Sequence, residues 1–444
     1  MIQLSWASHR ALLAIALPMI LSNITVPLLG LVDTAVVGHL SDAYFLGGVA
    51  VGSTMVAFIF SLAGFLRMTT TGVTAQACGV GSVRLQLESL VHGLVIALGI
   101  SFLLLLFHPL IGDYGLLLCG GSVEVGQYAR QYFDIRIFSA PAVLSNLVLL
   151  GWMLGMQNAR GPMWHLMLTN SVNIVLDVWF VFGLEWDVAG VAWASVIADY
   201  CGVMIGGFFV YKMMAKDGIL VDVAVLKFWH QWQALRPLLL INRDIFLRTL
   251  CLALCFAFMT FQGARLGDDV VAANAILLNF LMLVSFALDG VAYGVEALVG
   301  KAYGGGDDHR MRQAIGAASV WSLLFAVLFT ALFMFCGEGL VSLMSDIDRV
   351  RQVAAVYLPW MMVLPFISVW CFLLDGVFIG LTRAKDMRDA TFLAALLGFL
   401  LPWAIAHYGF ALANHALWLA MCGFMLLRGV FLCYRLCCKN VMAG

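Results

Sequence analysis

Acidic and amide side chains occur inside stretches of this sequence that are otherwise apolar. Asp33 lies within TVPLLGLVDTAVVGHL, residues 25–40, in a run that carries no other charge between Ala11 and Asp42. A carboxylate at the depth of a lipid bilayer costs roughly 2.5–3.5 kcal/mol on insertion scales. Such a residue needs a partner that binds it or a function that uses its charge.

A second set of polar residues lies in LTNSVNIVLDVWF, residues 168–180. Asn170 and Asn173 precede Asp177 by seven and four residues, so all three side chains project from one face of a helix. Carboxylate and amide oxygens are suitable ligands for a small hard cation. This helix face therefore has the chemistry of an ion site.

We predict one ion-coupling site that combines these residues with the first-helix acid and with two residues of the sixth helix. Its members are Asp33, Asn170, Asn173, Asp177, Ser195 and Asp199. Two carboxylates brought together away from water repel each other and are poorly solvated, and both effects favour uptake of a proton. The alternative left open is that each acid is a buried, hydrogen-bonded group that never titrates.

The composition of the chain indicates a polytopic membrane protein. Of its 444 residues, 63% are hydrophobic and 11% are charged, whereas soluble proteins carry about 25% charged residues. Apolar stretches of the roughly 20 residues needed to cross a bilayer recur along its length. They predict an all-α protein with about twelve transmembrane helices, at residues 10–38, 46–78, 86–110, 127–154, 163–184, 189–214, 236–263, 270–302, 311–336, 353–380, 390–409 and 413–436.

The distribution of charge predicts the orientation of these helices. Lys and Arg concentrate in the even-numbered loops and at the C-terminus, whereas acids dominate the odd-numbered loops. By the positive-inside rule both termini are cytoplasmic. The first span is expected to be an uncleaved helix rather than a signal peptide, because its apolar run continues to Gly38. The net charge of −1 gives no indication of nucleic-acid binding.

An internal repeat divides the chain into two halves. LLGWMLGMQNARGPM, residues 149–163, matches LDGVFIGLTRAKDMR, residues 374–388, at an offset of 225. Each half then holds six spans, an even number, so both halves enter the membrane in the same direction. This predicts two parallel six-helix lobes related by a pseudo-two-fold axis along the membrane normal.

The repeat also gives the predicted domain boundaries. The N-terminal lobe comprises residues 1–215, an interfacial linker at the cytoplasmic surface comprises 216–235, and the C-terminal lobe comprises 236–444. GxxxG spacing, which lets helix backbones approach closely, recurs at equivalent positions of the lobes, namely Gly151/Gly155 and Gly376/Gly380.

The ion site is predicted in one lobe only. The offset of 225 places Phe258 opposite Asp33, Gly398 opposite Asn173 and Pro402 opposite Asp177. Acids that merely held helices together would be needed in both lobes. The asymmetry therefore favours a specialised site in the N-terminal half.

Two prolines of the first helix are candidates for a bend. Pro27 lies six residues before Asp33, and Pro18 lies a further nine residues back. Proline removes a backbone hydrogen bond and permits a kink. Whether such a kink is static or changes with the charge of Asp33 is left open.

Four further charged residues lie within the predicted spans. An offset of 222 pairs Arg67 with Asp289, which predicts an ion pair between the lobes. The alternative is that each residue pairs locally or reaches towards an interface. Glu296 and Asp375 are expected either to line the C-terminal part of the cleft, where they would attract a cationic substrate, or to be satisfied by neighbouring polar groups.

Recognisable enzymatic motifs are absent from the sequence. GVEALVGK, residues 294–301, is a poor phosphate loop, because five residues separate its glycines and Ala302 replaces the required Ser or Thr. We predict a protein that is not an enzyme, that needs no cofactor or metal centre, and that draws on an ion gradient.

Several segments resemble the multidrug and toxic compound extrusion (MATE) transporters, and in particular the DinF-type branch of the bacterial members. They are ALPMI, LVDTAVVGHL, AQACG, NARGPM, NSVNIVLD and the NRD of residues 242–244. The resemblance covers essentially the whole chain. It implies a V-shaped carrier of two lobes in a bacterial inner membrane, which exports drugs in exchange for protons or sodium.

The resemblance also implies roles for individual residues. Asp33, Asn173 and Asp177 match the first-helix Asp and the fifth-helix Asn and Asp of the N-lobe ion site, and Ser195 matches a hydroxyl of the sixth helix. Sodium-using, NorM-like members have acids on the seventh and tenth helices. Here the seventh helix has no mid-span acid and Asp375 lies towards the end of the tenth, so proton coupling is expected.

The predicted function is therefore multidrug efflux by proton antiport through alternating access. The expected partners are lipophilic, often cationic, drugs, together with protons and membrane lipids, and the protein is expected to be monomeric. Two alternatives stand beside this prediction: coupling to Na⁺ at the same oxygen cluster, and lipid transport by a flippase of the same superfamily.

Overall fold

The structure is a computed structural model that describes residues 5–37, 43–119, 122–216 and 232–438. All regular secondary structure in these residues is helical, as the composition predicts. Some side chains within these ranges lie outside the description, namely those at positions 24, 26–31, 33–35, 37, 43, 118, 119, 232 and 234.

The helices follow one another with short connections. They are α1 (Trp6–Val37), α2 (Ala43–Leu62), α3 (Phe65–Val80), α4 (Val83–Cys119), α5 (Val123–Arg136), α6 (Ala140–Gly155), α7 (Arg160–Val178), α8 (Asp187–Lys216), α9 (Trp232–Arg265), α10 (Asp268–Gly304), α11 (Asp308–Met344), α12 (Asp348–Gly380), α13 (Ala384–Ala394), α14 (Leu401–Ala404) and α15 (Ala413–Cys438). Turns of π-helix follow α7 at Trp179–Gly183 and flank α14 at Ala395–Leu400 and Ile405–Gly409.

Eleven stretches of the described residues are long and apolar enough to cross a membrane. They are Tyr44–Val80, Val83–Leu117, Val123–Gly155, Arg160–Gly183, Asp187–Lys216, Leu235–Arg265, Asp268–Gly304, Asp308–Met344, Asp348–Gly380, Ala384–Gly409 and Ala413–Cys438. They correspond to the second to twelfth predicted spans, and α1 occupies the position of the first. Large apolar side chains are exposed on these helices, including Phe102, Phe261 and Phe335, as expected for helices surrounded by lipid.

Two predicted spans are each built from two helices. The predicted span 46–78 consists of α2 and α3, which meet around Gly64, and the predicted span 127–154 consists of α5 and α6, joined by a 3₁₀ turn at Ile137–Ser139. Pro141 at the start of α6 explains the second break, because proline fits the first turn of a helix but cannot continue a preceding one.

The chain forms two compact units, Met1–Ile20 with Leu239–Gly444, and Leu21–Leu238. We call them the C-terminal unit and the N-terminal unit. α1 contributes its beginning to the C-terminal unit and its remainder to the N-terminal unit. The predicted lobe boundaries at 215 and 236 stay a prediction.

Glycines allow the closest helix packing in both units. A Cβ atom at Gly151 of α6 would lie 2.5 Å from the carbonyl oxygen of Arg67 in α3. At the repeat-related Gly376 of α12, a Cβ would lie 2.8 Å from the carbonyl oxygen of Ala292 in α10. Any side chain at either position would push the two backbones apart, so the GxxxG pattern has the same packing role in each repeat.

α1 runs as one helix from Trp6 to Val37, through both Pro18 and Pro27. Its first turns pack closely on α10, where a Cβ at Gly294 would lie 2.8 Å from Leu12. The side chain of Pro27 lies outside the described residues. A bend at these prolines therefore stays a prediction.

Candidate ion-coupling site

Polar residues of α7 form a line along one face of the helix. His165, Thr169, Asn173 and Asp177 follow one another at intervals of four residues, and residues four apart lie above one another on a helix. Asn173 and Asp177 are buried, with 3% and 0% of their surface exposed. The face that the sequence predicts to carry an ion site is therefore directed into the protein.

Asn173 connects Asp177 with Ser195 of α8. The hydrogen-bond network assigns an orientation in which the amide nitrogen of Asn173 donates to Oδ2 of Asp177 at 3.1 Å. The amide oxygen then accepts from the backbone N–H and the hydroxyl of Ser195, at 3.2 and 3.1 Å. A buried carboxylate is costly unless donors satisfy it, and the amide supplies one such donor.

The opposite orientation of the same amide is less well satisfied, because its nitrogen then faces the backbone N–H of Ser195 and its oxygen faces Oδ2 of Asp177. In that orientation the nitrogen of Asn173 donates to Oγ of Ser195 at 3.1 Å, and its oxygen faces Asp177. An amide oxygen facing a charged carboxylate is repelled, whereas one facing a protonated carboxyl accepts a hydrogen bond from it. The first orientation thus suits a charged Asp177, and protonation of Asp177 would relieve the contact of the amide oxygen in the second.

Asn170 connects this helix with α1. Its amide nitrogen donates to Oγ1 of Thr25 at 2.8 Å, and the Thr25 hydroxyl donates to the carbonyl of Ser22 at 2.7 Å. Thr25 lies eight residues before Asp33 on the same helix. The backbone of Asp33 belongs to α1, but its side chain lies outside the described residues, so its membership of the site stays a prediction.

Asp199 has a different partner from the one that we expected. Its Oδ2 accepts from Nη1 of Arg136 at 2.6 Å, and Arg136 also donates to the hydroxyl of Ser139. Both members of the pair are largely buried. Because α5 brings Arg136 beside Asp199, the carboxylate of Asp199 forms an ion pair with this arginine and does not join the Asn173–Asp177–Ser195 cluster.

The repeat-related region of the C-terminal unit is apolar. Phe258, opposite Asp33 in the repeat, makes edge-on contacts with Phe399 and Trp403 at 5.7 and 4.8 Å between ring centres. Gly398, opposite Asn173, touches the backbone of Gly423 so closely that a Cβ would lie 2.6 Å from its carbonyl oxygen. A cavity of about 510 Å³ lies here between α9 and the π-helical turn after α13.

Asp375 is paired with two arginines. Its Oδ2 accepts from Nη2 of Arg428 at 2.5 Å and from Nη2 of Arg248. All three side chains are buried, and together they carry one net positive charge. This pairing agrees with the alternative in which neighbouring polar groups satisfy Asp375, and not with its interpretation as an attractor of cationic substrates.

The remaining charged candidates are located but their partnerships stay predictions. Arg67 is buried on α3, and Glu296 is buried on α10, where a Cβ at Gly380 would lie 2.8 Å from its carbonyl oxygen. Asp289 is half-buried on α10. Arg67 and Asp289 belong to different compact units.

Sequence reasoning missed three polar residues within the spans. Arg136 and Arg428 bind Asp199 and Asp375, and His165 is buried on the polar face of α7. A signal for the two arginines was present, since each lies inside an apolar stretch of the kind where an unpaired cation is costly. His165 was harder to recognise, because its spacing of four from Thr169 and eight from Asn173 gains meaning only when the face of α7 is known to be buried.

Comparisons with known proteins agree with the fold and the repeat. A family model described as MatE matches residues 18–179 and again residues 245–404. The two matches end at positions that are 225 residues apart, the offset of the internal repeat. DNA damage-inducible protein F of Escherichia coli (strain K12) is 48% identical over 432 residues, covering 96% of this chain and 91% of that protein.

A more distant relative and a solved structure extend the comparison. The multidrug export protein MepA of Staphylococcus aureus (strain NCTC 8325 / PS 47) is 20% identical over 401 residues, covering 88% of this chain and 85% of that protein. The crystal structure of a MATE protein in the straight conformation superimposes with a TM-score of 0.87 at 18% identity, covering 97% and 96% of the two chains. The predicted all-α fold of about twelve helices in two repeats is thereby confirmed.

Proposed function

This chain belongs to the MatE family of membrane transporters, and we propose that it exports lipophilic, often cationic, compounds in exchange for protons. Membership of the family makes it a multi-pass membrane transporter rather than an enzyme. The name of MepA, a multidrug export protein, supports small drugs as the substrate class.

The observation that carries proton coupling is the amide of Asn173 between Asp177 and Ser195. With Asp177 charged, the amide donates to it at 3.1 Å; with Asp177 protonated, the carboxyl donates to the amide oxygen and the amide nitrogen turns to Ser195. One proton thus reverses a chain of hydrogen bonds inside a buried site. A hydroxyl that both donates and accepts, such as that of Ser195, tolerates either direction.

The hydrogen bond between Asn170 and Thr25 supports a route from this site to α1. Asn170 lies on α7 one turn before the Asn173–Asp177 pair, so repacking of this helix face changes its contact with α1. In the proposed cycle, a proton entering from outside neutralises the site, α1 repacks, and the drug leaves. Return to the inward-facing state releases the proton into the cytoplasm.

The C-terminal unit supports the lipophilic character of the substrate. Its cavity of about 510 Å³ is lined by aromatic and aliphatic side chains, among them Phe258, Ala395 and Phe399. Drug-binding pockets typically measure about 300–1,000 Å³ and are mostly apolar. We propose that this cavity receives the apolar part of the transported compound.

The membrane potential and the pH gradient supply enough free energy to drive such a cycle. A membrane potential of 100 mV supplies about 2.3 kcal/mol per charge moved, and one pH unit supplies about 1.4 kcal/mol per proton. We place the protein in the bacterial inner membrane with both termini in the cytoplasm, where the proton gradient is directed inwards. The positive-inside distribution of Lys and Arg supports this orientation.

The test is ethidium transport in proteoliposomes with a pH gradient or a sodium gradient imposed separately. We expect the pH gradient alone to drive ethidium transport, and Asp33→Asn to reduce that transport to background. Asp113→Asn is the matched control, because Asp113 is an exposed acid that binds Arg130. Transport driven by sodium alone, or parental transport by Asp33→Asn, would overturn proton coupling at this site.

A fluorescent phospholipid in the same vesicles tests the flippase alternative. We expect its rate of transfer between leaflets to stay at the level of protein-free vesicles. Accelerated lipid transfer without ethidium transport would replace the drug-export proposal.

A further inference from the structure

We propose that α7 carries a proton relay, centred on His165, that connects the Asn173–Asp177 pair with the cytoplasmic side of the membrane. The inference rests on the proposed function, since it assigns the path by which the coupled proton leaves. Its members are His165 and Thr169 of α7, Asn146 of α6 and the space beside Gly202 of α8.

The first observation is a buried histidine whose ring nitrogens make no well-formed hydrogen bond among the described residues, although the backbone of Gly202 lies beside the ring. His165 is 1% exposed, and neither of its ring nitrogens has a partner of good geometry among the described residues. The hydroxyl of Thr169 and the amide oxygen of Asn146 are likewise buried without partners in the described part of the chain. Most buried polar atoms are paired, so a group of unpaired ones calls for a functional reason.

The second observation is that these groups converge on one point. A Cβ atom built on Gly202 would lie 2.8 Å from the amide nitrogen of Asn146, 2.9 Å from Oγ1 of Thr169 and 3.2 Å from Nε2 of His165. The amide of Asn146 is held there, because its nitrogen donates to the carbonyl of Asp199 at 2.9 Å. Polar groups of two helices thus gather over Gly202 of α8, which has no side chain.

The third observation is the position of the line of polar groups across the membrane. From Asp177 to His165 the helix advances twelve residues, about 18 Å at 1.5 Å per residue, which is more than half of an apolar layer of about 30 Å. Arg160, five residues before His165, is exposed at the start of α7, the end that the charge distribution places in the cytoplasm. The line therefore runs from the buried acid towards the cytoplasmic surface.

Among the described residues of the neighbouring helices, no charged side chain is paired with His165. α6 has no ionisable side chain among its residues, and on α8 the nearby ionisable groups are Asp199, Tyr200 and Cys201. The carboxylate of Asp199 binds Arg136, and the hydroxyl of Tyr200 donates to the carbonyl of Phe138 at 3.1 Å. On α7 itself the ionisable groups are Arg160 and Asp177, and on α1 the side chain of Asp33 lies outside the description.

Imidazole suits a relay because it has two nitrogens, one of which can accept a proton while the other releases one. In the relay, the carboxyl of Asp177 gives up its proton to a bridging water, while Asn173 and Thr169 orient that water by hydrogen bonds and do not carry the proton themselves. One ring nitrogen of His165 accepts a proton while the other releases one towards the cytoplasm. One proton enters and one leaves, so the ring ends neutral with its tautomer reversed.

The test uses His165→Gln in proteoliposomes, with ethidium as the transported probe and a trapped pH-sensitive dye to follow protons. Glutamine keeps a donor and an acceptor but cannot carry a proton. We expect ethidium-coupled proton movement to slow by about tenfold or more, the smaller end of the loss on removing a proton-transferring group. Ethidium exchange at equal pH on both sides, which needs no net proton movement, should stay at the parental rate.

The matched control is His108→Gln, since His108 bonds the carbonyl of Leu105 within its own helix at 2.7 Å. Coupled proton movement at the parental rate in His165→Gln would overturn the relay. If the parental protein itself shows no transport driven by pH, the proposed function fails instead, and the two failures are thereby distinguished.

Gly202→Ala provides a second test that leaves every ionisable side chain in place. Its methyl group would enter the point where the three polar groups converge, so we expect the same selective slowing of coupled proton movement. Gly207→Ala on the same helix is its control, because a Cβ there meets nothing within 4 Å. Parental proton movement in Gly202→Ala would contradict the relay even if His165→Gln failed to fold.

Discussion

Equivalent helices of the two repeats of this transporter meet through different contacts, which are polar in one repeat and apolar in the other. In the N-terminal unit, α7 and α8 meet through the hydrogen bonds of Asn173 with Asp177 and Ser195. At the repeat-related position of the C-terminal unit, Gly398 and Gly423 meet backbone to backbone. Polar side chains thus lie between the two helices of the N-terminal unit, whereas glycines let the two helices of the C-terminal unit touch through their backbones.

The buried acids of the two units differ in the same way. Asp375 of the C-terminal unit is held by Arg248 and Arg428 in a buried cluster of ion pairs. Asp177 of the N-terminal unit is bound by the neutral amide of Asn173, which donates a hydrogen bond to the carboxylate and could accept one from a protonated carboxyl. The comparison teaches that burial of an acid within a span does not by itself mark a coupling site, and that the nature of its partner decides.

The largest effect that we expect is from Asp177→Asn. The amide cannot release a proton, so ethidium transport driven by a pH gradient in proteoliposomes should fall to background. Stability should stay close to that of the parent, because the substitution keeps the shape and removes a buried charge. Pro402→Ala, at the repeat-related position, should retain transport driven by pH; equal loss in both variants would erase the distinction between the units.

The next effect concerns Asp375→Asn, which leaves two buried arginines without their carboxylate. Removing one partner of a buried ion pair costs roughly 3–5 kcal/mol of folding free energy, so thermal unfolding in detergent should shift strongly downwards. Transport per folded molecule should keep its dependence on pH.

A triple variant, Arg248→Met with Asp375→Leu and Arg428→Met, sharpens this prediction. Apolar residues of similar volume often replace buried ion pairs without loss of stability, so unfolding should return close to the parental temperature. If Asp375→Asn instead kept parental stability but lost transport driven by pH, the C-terminal acid would be a coupling residue and the comparison would fail.

The smallest effect is expected from Ser195→Ala, which removes the hydroxyl partner of Asn173. A single hydrogen bond contributes a net of about 1 kcal/mol, so the initial rate of transport driven by pH should fall severalfold rather than vanish. Ser195→Thr keeps the hydroxyl and should retain most of the rate. Identical rates in the alanine and threonine variants would show that the hydroxyl has no part in the reversal of the Asn173 amide.

Much of the fold could be predicted from the sequence, because membrane spans follow from the length and apolarity of local stretches. The repeat at an offset of 225 gave the two halves, and helical spacing placed Asn173 and Asp177 on one face of α7 without knowledge of any neighbour. The bends that divide two spans into α2 with α3, and α5 with α6, were not predicted, since local breaks inside apolar runs carry weak signals.

Partnerships between distant residues were harder to predict. Asp199 and Asp375 were recognised as buried acids, but their arginines lie 63 and 127 or 53 residues away along the chain. Spacing along one helix says nothing about which side chain of another helix faces it. The role of His165 depends in the same way on Gly202 and Asn146, which neighbouring helices bring to it.

By itself, the sequence determined that this protein is an all-helical membrane transporter of two repeats and that only one repeat carries a polar face suited to ions. Those properties depend on hydrophobicity and periodicity, which are local. The tertiary structure decided which acids are paired with arginine and which are hydrogen-bonded to an amide. Charge in an apolar medium depends on partners within a few ångströms, and only the packing of helices brings such partners together.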